Sequence, residues 1–323
     1  MVNIAELLNL PRLQDDLESV ESALHGSVTT DDPFLSQVAG HLITAGGKRL
    51  RPALAVAAAA AGGTHATDDV LQGGVSVELV HLGSLYHDDV MDEGTSRRGV
   101  ETVNARWGNL VAILAGDFLL ARASEIAASL GTEVAGLLAA TIGKLCQGQV
   151  SELRTAFDTG RTEEAYLTSI AGKTASLMSA SCRIGALTAG LDRAYVDALT
   201  AYGHAFGMVF QIRDDILDVV GTEESLGKPA GQDLVQGTYT LPVIYALAQP
   251  QPGEELRALL GRPLDVPERD KAREIVKSTD AIDAALAAAT RFADQAAEAA
   301  GALPPGPVTN AMADLGHRLL DTI

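Results

Sequence analysis

The sequence predicts an all-α protein, a single large helical bundle, and three observations support this. Alanine and leucine, both strong helix formers, recur in long runs throughout the chain. Aromatic residues make up 4% of a chain whose hydrophobic content is 47%, and the β-branched clusters typical of strands are sparse. No shift in composition divides the 323 residues. We therefore expect one domain over residues 1–323.

Charge and composition also bear on partners and location. The net charge is −18 and the isoelectric point about 4.7, which argues against a nucleic-acid partner. We expect no secretory signal at the N-terminus. The longest apolar run, Pro52–Gly63, is shorter than the roughly 20 residues that cross a bilayer, so we expect no transmembrane segment and a cytoplasmic protein. Cys146 and Cys182 stand in apolar helical runs, where buried free thiols are expected.

The first part of the chain leads to a basic segment. Residues 2–25 are typical of an amphipathic helix or helix pair, and no chemistry is visible there. A second helix is predicted from a capping residue, an acidic first turn and a proline at 30–33, and it ends at a glycine pair. The sequence GGKRLRP then places Lys48, Arg49 and Arg51 behind these glycines. Glycine allows close backbone approach to a ligand, and a helix starting near Pro52 presents free N–H groups to an anion. By itself the segment is either a phosphate-binding turn or a basic surface turn.

A predicted helix over 68–91 ends in the sequence DDVMD. Asp88 and Asp92 are four residues apart and share a helix face, with Asp89 between them. Like charges at this spacing repel, and negative charge is unfavourable at a helix C-terminus. A divalent cation would relieve both effects, because hard cations prefer oxygen ligands. For one motif alone, a solvated acidic helix end is the alternative.

The same pattern recurs in a predicted helix over 193–221. An apolar run leads into Asp214 and Asp215, and Asp218 completes a second DDxxD sequence. Two such motifs in similar settings make coincidence a poor explanation. Two carboxylate walls that face each other would form a multi-metal site suited to a diphosphate.

Two further pairs of polar residues interrupt apolar surroundings. The loop after the first motif carries Arg97 and Arg98, and arginine binds phosphate oxygens in bidentate fashion. Lys173 and Thr174 lie within a predicted helix over 163–190, where an ammonium and a hydroxyl need partners. A solvated arginine pair and an ordinary salt-bridge lysine are the alternatives. Residues 221–240 are predicted to form a loop that closes over a site.

Together these segments resemble the trans-type polyprenyl diphosphate synthases, which are chain-elongating prenyltransferases. The resemblance runs from about Gly46 to Pro242. Besides the motifs above, it rests on His81, Phe210–Gln211, Gly227–Lys228, and the sequence TLP at residues 240–242. It implies an isoprenoid synthase-like bundle of roughly ten or more helices around a central cavity.

The resemblance also implies roles for individual residues. Magnesium, in a cluster of roughly three ions, would be held by Asp88, Asp92 and Asp214, with Asp89, Asp215 and Asp218 as supporting carboxylates. Isopentenyl diphosphate would be bound by Lys48, Arg51, His81 and Arg98. The allylic diphosphate would be bound by Arg97, Lys173, Thr174, Gln211 and Lys228. Among these, Lys173 and Lys228 would also stabilise the departing diphosphate.

The implied activity is the condensation of isopentenyl diphosphate with an allylic diphosphate, by a homodimer. In the helix before the first motif, Gly83 and Ser84 stand where short-chain relatives place an aromatic floor. Two small residues predict an open tunnel and a long all-trans product, about C30 to C50 by family analogy alone. The alternatives are a short-chain synthase, a class I terpene cyclase, or a non-catalytic subunit of a heterodimeric synthase. Thr238 departs from the lysine that is common two residues before TLP, which puts one contact to the leaving group in doubt.

Overall fold

The computed structural model describes residues 8, 10, 12–226 and 229–323. Helices dominate this part of the chain, and the two strands in it form one antiparallel hairpin that pairs Ser96 with Glu101. The predicted all-α class is therefore confirmed.

The elements follow one another in a simple order. They are α1 Leu13–Ser27, α2 Pro33–Ala39, α3 His41–Thr44, α4 Leu50–Ala61, α5 Asp68–Met91, β1 Ser96–Arg97, β2 Val100–Glu101, α6 Val103–Trp107, α7 Asn109–Ser129, α8 Thr132–Arg154, α9 Glu163–Ile170, a π-helical turn Ala171–Ala175, α10 Ser176–Thr188, α11 Arg193–Val220, α12 Glu223–Leu226, α13 Gln232–Gln236, α14 Leu241–Leu247, α15 Pro250–Leu259, α16 Val266–Lys277, α17 Ala281–Gly301 and α18 Pro307–Leu320.

Helix α5 has the bounds that the sequence predicts, and local interactions explain both ends. The Thr67 side chain accepts a hydrogen bond from the Val70 N–H. Acidic residues occupy the first turn, where their negative charge interacts favourably with the helix dipole. At the other end, the Asp92 N–H donates to the Asp88 carbonyl over 2.8 Å. This bond closes the last turn and keeps the two outer carboxylates of the first motif together.

Two predicted helices are interrupted. The helix after Pro33 breaks at Gly40 into α2 and α3. The helix predicted over 163–190 consists of α9, the π-helical turn and α10. A π turn adds a residue to one turn of a helix and is frequent at functional sites, but it leaves no mark in hydrophobic periodicity.

The helices pack closely through small residues, as the alanine-rich sequence predicts. A Cβ on Gly203 of α11 would come within 2.7 Å of the Met178 carbonyl oxygen of α10, and one on Gly207 within 2.6 Å of Ala175. Helix α5 packs against α4, α7 and α10, while α11 packs against α10 and α17. Helices α5 and α11, which carry the two aspartate motifs, are therefore linked through α10.

The expectation of two buried thiols is only half right. Cys182 is buried in α10, but Cys146 is exposed and lines a large cavity, so the expectation for Cys146 is wrong. The apolar run that surrounds Cys146 faces this cavity rather than the packed core. Among the described helices, none is both long and apolar enough to serve as a membrane span.

Candidate active site

One cavity of about 1130 Å³ brings most of the predicted site residues together. Its wall includes Lys48, Arg51, His81, Ser84, Asp88, Arg97, Arg98, Lys173, Thr174, Gln211 and Asp214. These residues come from the basic segment, α5, the hairpin, the π turn and α11. The two aspartate motifs thus face a common hollow, although they are far apart in the sequence.

Asp88 and Asp92 stand at the C-terminal end of α5, next to Lys173. Burial raises the pKa of both carboxyls, and the Lys173 ammonium opposes this shift in each case. Burial alone would lower the pKa of Lys173, but Glu152 and Asp88 together outweigh it and raise that pKa. The lysine is therefore a permanent positive charge beside the first motif.

Asp89, the middle residue of the first motif, is buried and turns toward the hairpin. Its Oδ1 accepts a hydrogen bond from Arg97 Nε over 2.8 Å and forms an ion pair with Arg97 Nη2, also at 2.8 Å. Burial raises the pKa of Asp89, and Arg97 opposes the rise. Asp89 thus holds Arg97 in place at the cavity wall, which is consistent with a supporting carboxylate.

In the second motif, too, one carboxylate faces the cavity and another is buried. Asp214 is exposed to the cavity and lies 3.2 Å from Nη1 of Arg213. Asp215 is buried, and its two oxygens accept hydrogen bonds from the Tyr166 hydroxyl over 2.5 Å and from Gln211 Nε2 over 2.8 Å. Gln211 in turn accepts a hydrogen bond from the Thr174 hydroxyl over 2.6 Å. Burial raises the pKa of Asp215 to about 7, although both hydrogen bonds oppose the rise.

Asp218 holds the segment that follows α11. Its backbone carbonyl accepts from the Gly231 N–H over 2.8 Å, and its Oδ2 accepts from the Asp233 N–H over 3.2 Å. The residue therefore supports the turn before α13. Lys228, predicted to reach the allylic diphosphate, lies outside the described residues.

The remaining basic residues also line the cavity. Burial lowers the pKa of Lys48, with Asp214 opposing, and burial lowers the pKa of Arg51 to about 10. The pKa of His81 is held well below 6.5 by burial and by the nearby Arg51 and Arg98 guanidiniums. His81 is therefore a neutral hydrogen-bonding group among cations. Arg98 adopts a left-handed backbone (φ 53°) and donates to the Gly46 carbonyl.

The two residues predicted to shape the product pocket differ in placement. Ser84 lines the cavity. Gly83 is buried between α5 and α7, where a Cβ would come within 3.0 Å of the Gly116 carbonyl oxygen. Of the pair, the structure places only Ser84 in the cavity wall, and Gly83 instead allows two helices to approach.

Sequence reasoning missed Glu152 and Tyr166. Glu152 of α8 accepts a hydrogen bond from Lys173 over 2.6 Å, and its charge acts on Asp88, Asp92 and Asp215. It follows Gln149 by three residues, and this spacing places both on one helix face. Tyr166 carries no comparable signal, because a buried tyrosine at helical spacing is typical of a core.

No three His, Cys, Asp or Glu side chains in the described part of the chain converge into a ready-made metal site. A hard divalent cation such as magnesium usually takes one or two carboxylates and completes its shell with water and substrate phosphates. Asp88 and Asp214 line the cavity from α5 and α11, whereas Asp92, at the end of α5, is not part of the cavity wall. All three are hard oxygen donors, so the donor set fits such an ion.

Comparison with known proteins shows which family the chain resembles. The family model "Polyprenyl synthetase" matches residues 32–278. The chain is 41% identical to heptaprenyl diphosphate synthase component 2 of Geobacillus stearothermophilus over 304 residues, which cover 94% of each protein. It is 36% identical to nonaprenyl diphosphate synthase of Mycobacterium tuberculosis, with 97% of this chain and 94% of that protein covered.

A solved structure has the same fold. It is a polyprenyl synthase from Caulobacter crescentus complexed with calcium and isoprenyl diphosphate, with a TM-score of 0.91 and 34% identity. The match covers 98% of this chain and 97% of that one. The chain therefore belongs to the polyprenyl synthetase family.

Proposed function

We propose that the protein condenses isopentenyl diphosphate with an allylic diphosphate to form a long all-trans polyprenyl diphosphate. The observation that carries the proposal is the placement of Asp88 and Asp214 in one cavity together with two groups of cations. Each diphosphate carries several negative charges, so it needs cations and hydrogen-bond donors at a fixed position.

Two groups of side chains divide the substrates between them. Isopentenyl diphosphate is held by Lys48, Arg51, His81 and Arg98, of which His81 contributes a neutral ring. The allylic diphosphate is held by Arg97, Lys173, Thr174, Gln211 and Lys228. Asp88, Asp92 and Asp214 would hold magnesium, in roughly three ions, which would supply the positive charge that makes the allylic diphosphate a leaving group.

The remaining wall protects the reacting carbon atoms. Leu145, Leu177 and Phe210 line the cavity and keep water from the allylic cation, and the ring face of Phe210 attracts positive charge. Lys173 supplies positive charge where the diphosphate departs. Thr238 offers no such charge, so we assign the leaving group to Lys173, Arg97 and Lys228.

The long product, about C30 to C50 by analogy, is supported by the small Ser84 in the cavity wall and by the heptaprenyl and nonaprenyl synthases among the relatives. A short-chain product is the alternative. It requires a floor from another helix of the cavity wall.

We also propose a homodimer. Leu110 and Leu114 are exposed, and their four-residue spacing places them on one face of α7, outside the cavity wall. An exposed apolar face of this kind favours an interface. One relative is called component 2, so a second, different subunit is the alternative partner. Light scattering of the purified chain distinguishes a dimer from a monomer that awaits another protein.

The decisive experiment incubates purified protein with magnesium, radiolabelled isopentenyl diphosphate and farnesyl diphosphate. Elongated prenyl diphosphates support the proposal, and chromatography of the same reaction reports their length. A hydrocarbon product would indicate a terpene cyclase. The absence of any product without an added partner would indicate a subunit of a heterodimer. Cell fractionation tests the predicted cytoplasmic location.

A further inference from the structure

Arg49, the middle cation of the basic segment, differs from its neighbours in how its side chain is engaged. It is 5% exposed, and each of its guanidinium nitrogens already donates a hydrogen bond. Nε and Nη2 contact the two carboxylate oxygens of Glu21 over 2.6 and 2.8 Å. Nη1 contacts Glu78 over 3.1 Å, and Nη2 also contacts the Ile43 carbonyl over 3.1 Å. Arg49 therefore borders the cavity, but protein partners occupy all three of its guanidinium nitrogens.

Glu78 is the second unusual member of this group. It is 2% exposed and lies on α5, three residues before His81. Its charge acts on Arg51 and Arg98 as well as on Arg49. A buried carboxylate is costly unless it is paired. Here one carboxylate serves as counter-ion to three guanidiniums, two of which are predicted to bind isopentenyl diphosphate.

The backbone at Arg49 shows how this pairing shapes the basic segment. Arg49 has a left-handed conformation (φ 46°, ψ 38°), which non-glycine residues adopt at a cost and retain only where the surroundings hold them. A Cβ on Gly47 would come within 3.0 Å of Arg49 Nη1 and 2.8 Å of Arg98 Nη1. The glycine thus makes room for both guanidiniums, and the left-handed residue lets Lys48 and Arg51 reach the cavity while Arg49 binds Glu21.

We propose that Arg49, Glu21 and Glu78 position the isopentenyl diphosphate subsite, so that helix α1 is part of it. In this arrangement Arg49 is a positioning residue and does not contact substrate. Glu21 and Glu78 fix its guanidinium, Arg49 fixes the turn, and the turn aims Lys48 and Arg51. The inference rests on the proposed function, because it names what supports one of the two substrate subsites.

Direct binding of the diphosphate by Arg49 would predict an effect of the opposite sign. If Arg49 bound the diphosphate directly, Glu21 would compete with substrate, and removal of the Glu21 charge would strengthen binding. If Arg49 positions its neighbours, removal of that charge weakens binding. The sign of the effect of Glu21→Gln therefore separates the two roles.

The experiment compares Glu21→Gln and Glu21→Asp with a control on the same helix, Glu18→Gln, whose side chain contacts Gln14 on the exposed face of α1. Glu21 is half-exposed, so these variants should fold. For each full-length protein we would measure the dissociation constant of isopentenyl diphosphate by calorimetry, steady-state constants for both substrates, and thermal unfolding.

We expect Glu21→Gln to raise the dissociation constant and KM of isopentenyl diphosphate about 5- to 20-fold, as for the loss of a charge-assisted hydrogen bond. The KM of the allylic substrate and kcat should stay within about twofold, since Lys173 and Arg97 are untouched. Glu21→Asp should recover part of the affinity, and Glu18→Gln should match the wild type.

Three results would overturn the inference. One is unchanged or tighter binding of isopentenyl diphosphate by Glu21→Gln. Another is a lower unfolding temperature with unchanged binding, which would make the contact purely structural. The third is an equal loss for both substrates. Failure of the proposed function itself is seen separately, as a wild-type protein that neither binds isopentenyl diphosphate nor elongates a primer.

Discussion

Lys173 donates a hydrogen bond to Glu152 over 2.6 Å, and this contact ties the π turn to helix α8 at the cavity wall. The charge of Glu152 also acts on Asp88 and Asp92. If Lys173 binds the allylic diphosphate as proposed, the substrate competes with Glu152 for this lysine. In that case Glu152 limits the affinity for the substrate while it holds Lys173 at the cavity wall.

We accordingly expect Glu152→Gln to tighten binding of the allylic diphosphate about 3- to 10-fold, because a competing negative charge is removed. Direct binding measurements in the presence of magnesium check this. The control is Glu133→Gln. Glu133 lies on the same helix as Glu152, and its exposed ion pair is with Arg193 of α11. Weaker binding would mean instead that Glu152 orients the lysine for the substrate.

Asp89→Asn tests the division between ligand and supporting carboxylates. One oxygen of Asp89 contacts two nitrogens of Arg97, so removal of the Asp89 charge should loosen that arginine. We expect the KM of the allylic substrate to rise about 5- to 20-fold, with little change in the magnesium requirement. Asp88→Asn should instead lower kcat about 100-fold and raise the magnesium requirement. Equal effects of both variants on magnesium would refute the division.

Gly148→Ala probes the contact between α8 and the π turn. An added Cβ would overlap the Lys173 backbone nitrogen and come within 2.8 Å of the Ser169 carbonyl oxygen. We expect a loss of about 2–4 kcal/mol in the free energy of unfolding, measured in urea. Gly143→Ala on the same helix has nothing within 4 Å of the new atom. That control should stabilise the protein by up to about 1 kcal/mol, since alanine favours a helix.

Ser84→Phe should shorten the product, because a ring at this position would enter the cavity that Ser84 lines. Chromatography of the prenyl chains measures the effect. Gly83→Ala, one residue earlier, should lower the unfolding temperature and leave product length unchanged, since its Cβ would meet Gly116. Identical product lengths for Ser84→Phe and wild type would sink the proposed role of Ser84.

His81 should stay neutral throughout the physiological range, because burial and the surrounding arginines hold its pKa well below 6.5. The free protein should then show no His81 titration between about pH 6 and 8. The depressed pKa also means that the folded state binds fewer protons than the unfolded state. The stability associated with His81 is thus complete above pH 6.5 and falls as pH drops toward the lowered value.

Urea unfolding of the wild type and His81→Gln at about pH 8 and pH 5 measures this dependence. The variant should lose less stability on acidification. An equal loss in both proteins would contradict the inferred neutral state of His81.

The sequence alone predicted the helical class, the bounds of α5, and the cavity-lining positions of Asp88 and Asp214. These follow from helix propensity, capping residues and a repeated charged motif, all of which are local. The contacts of Glu152, Tyr166 and Glu21 could not be predicted, because their partners are distant in sequence. The π turn also left no periodic trace, and Gly83 could not be distinguished from Ser84 before the position of α7 was known.

Helix α5 combines three tasks on one rigid element about 36 Å long, as expected for its 24 residues. Glu78 near its middle is the counter-ion of nearby arginines, Ser84 borders the cavity, and Asp88 near its end presents a carboxylate to the same cavity. A tilt or shift of this rod would disturb all three tasks at once. A single side-chain exchange at Ser84, by contrast, would alter the cavity wall while the position of the Asp88 carboxylate is kept.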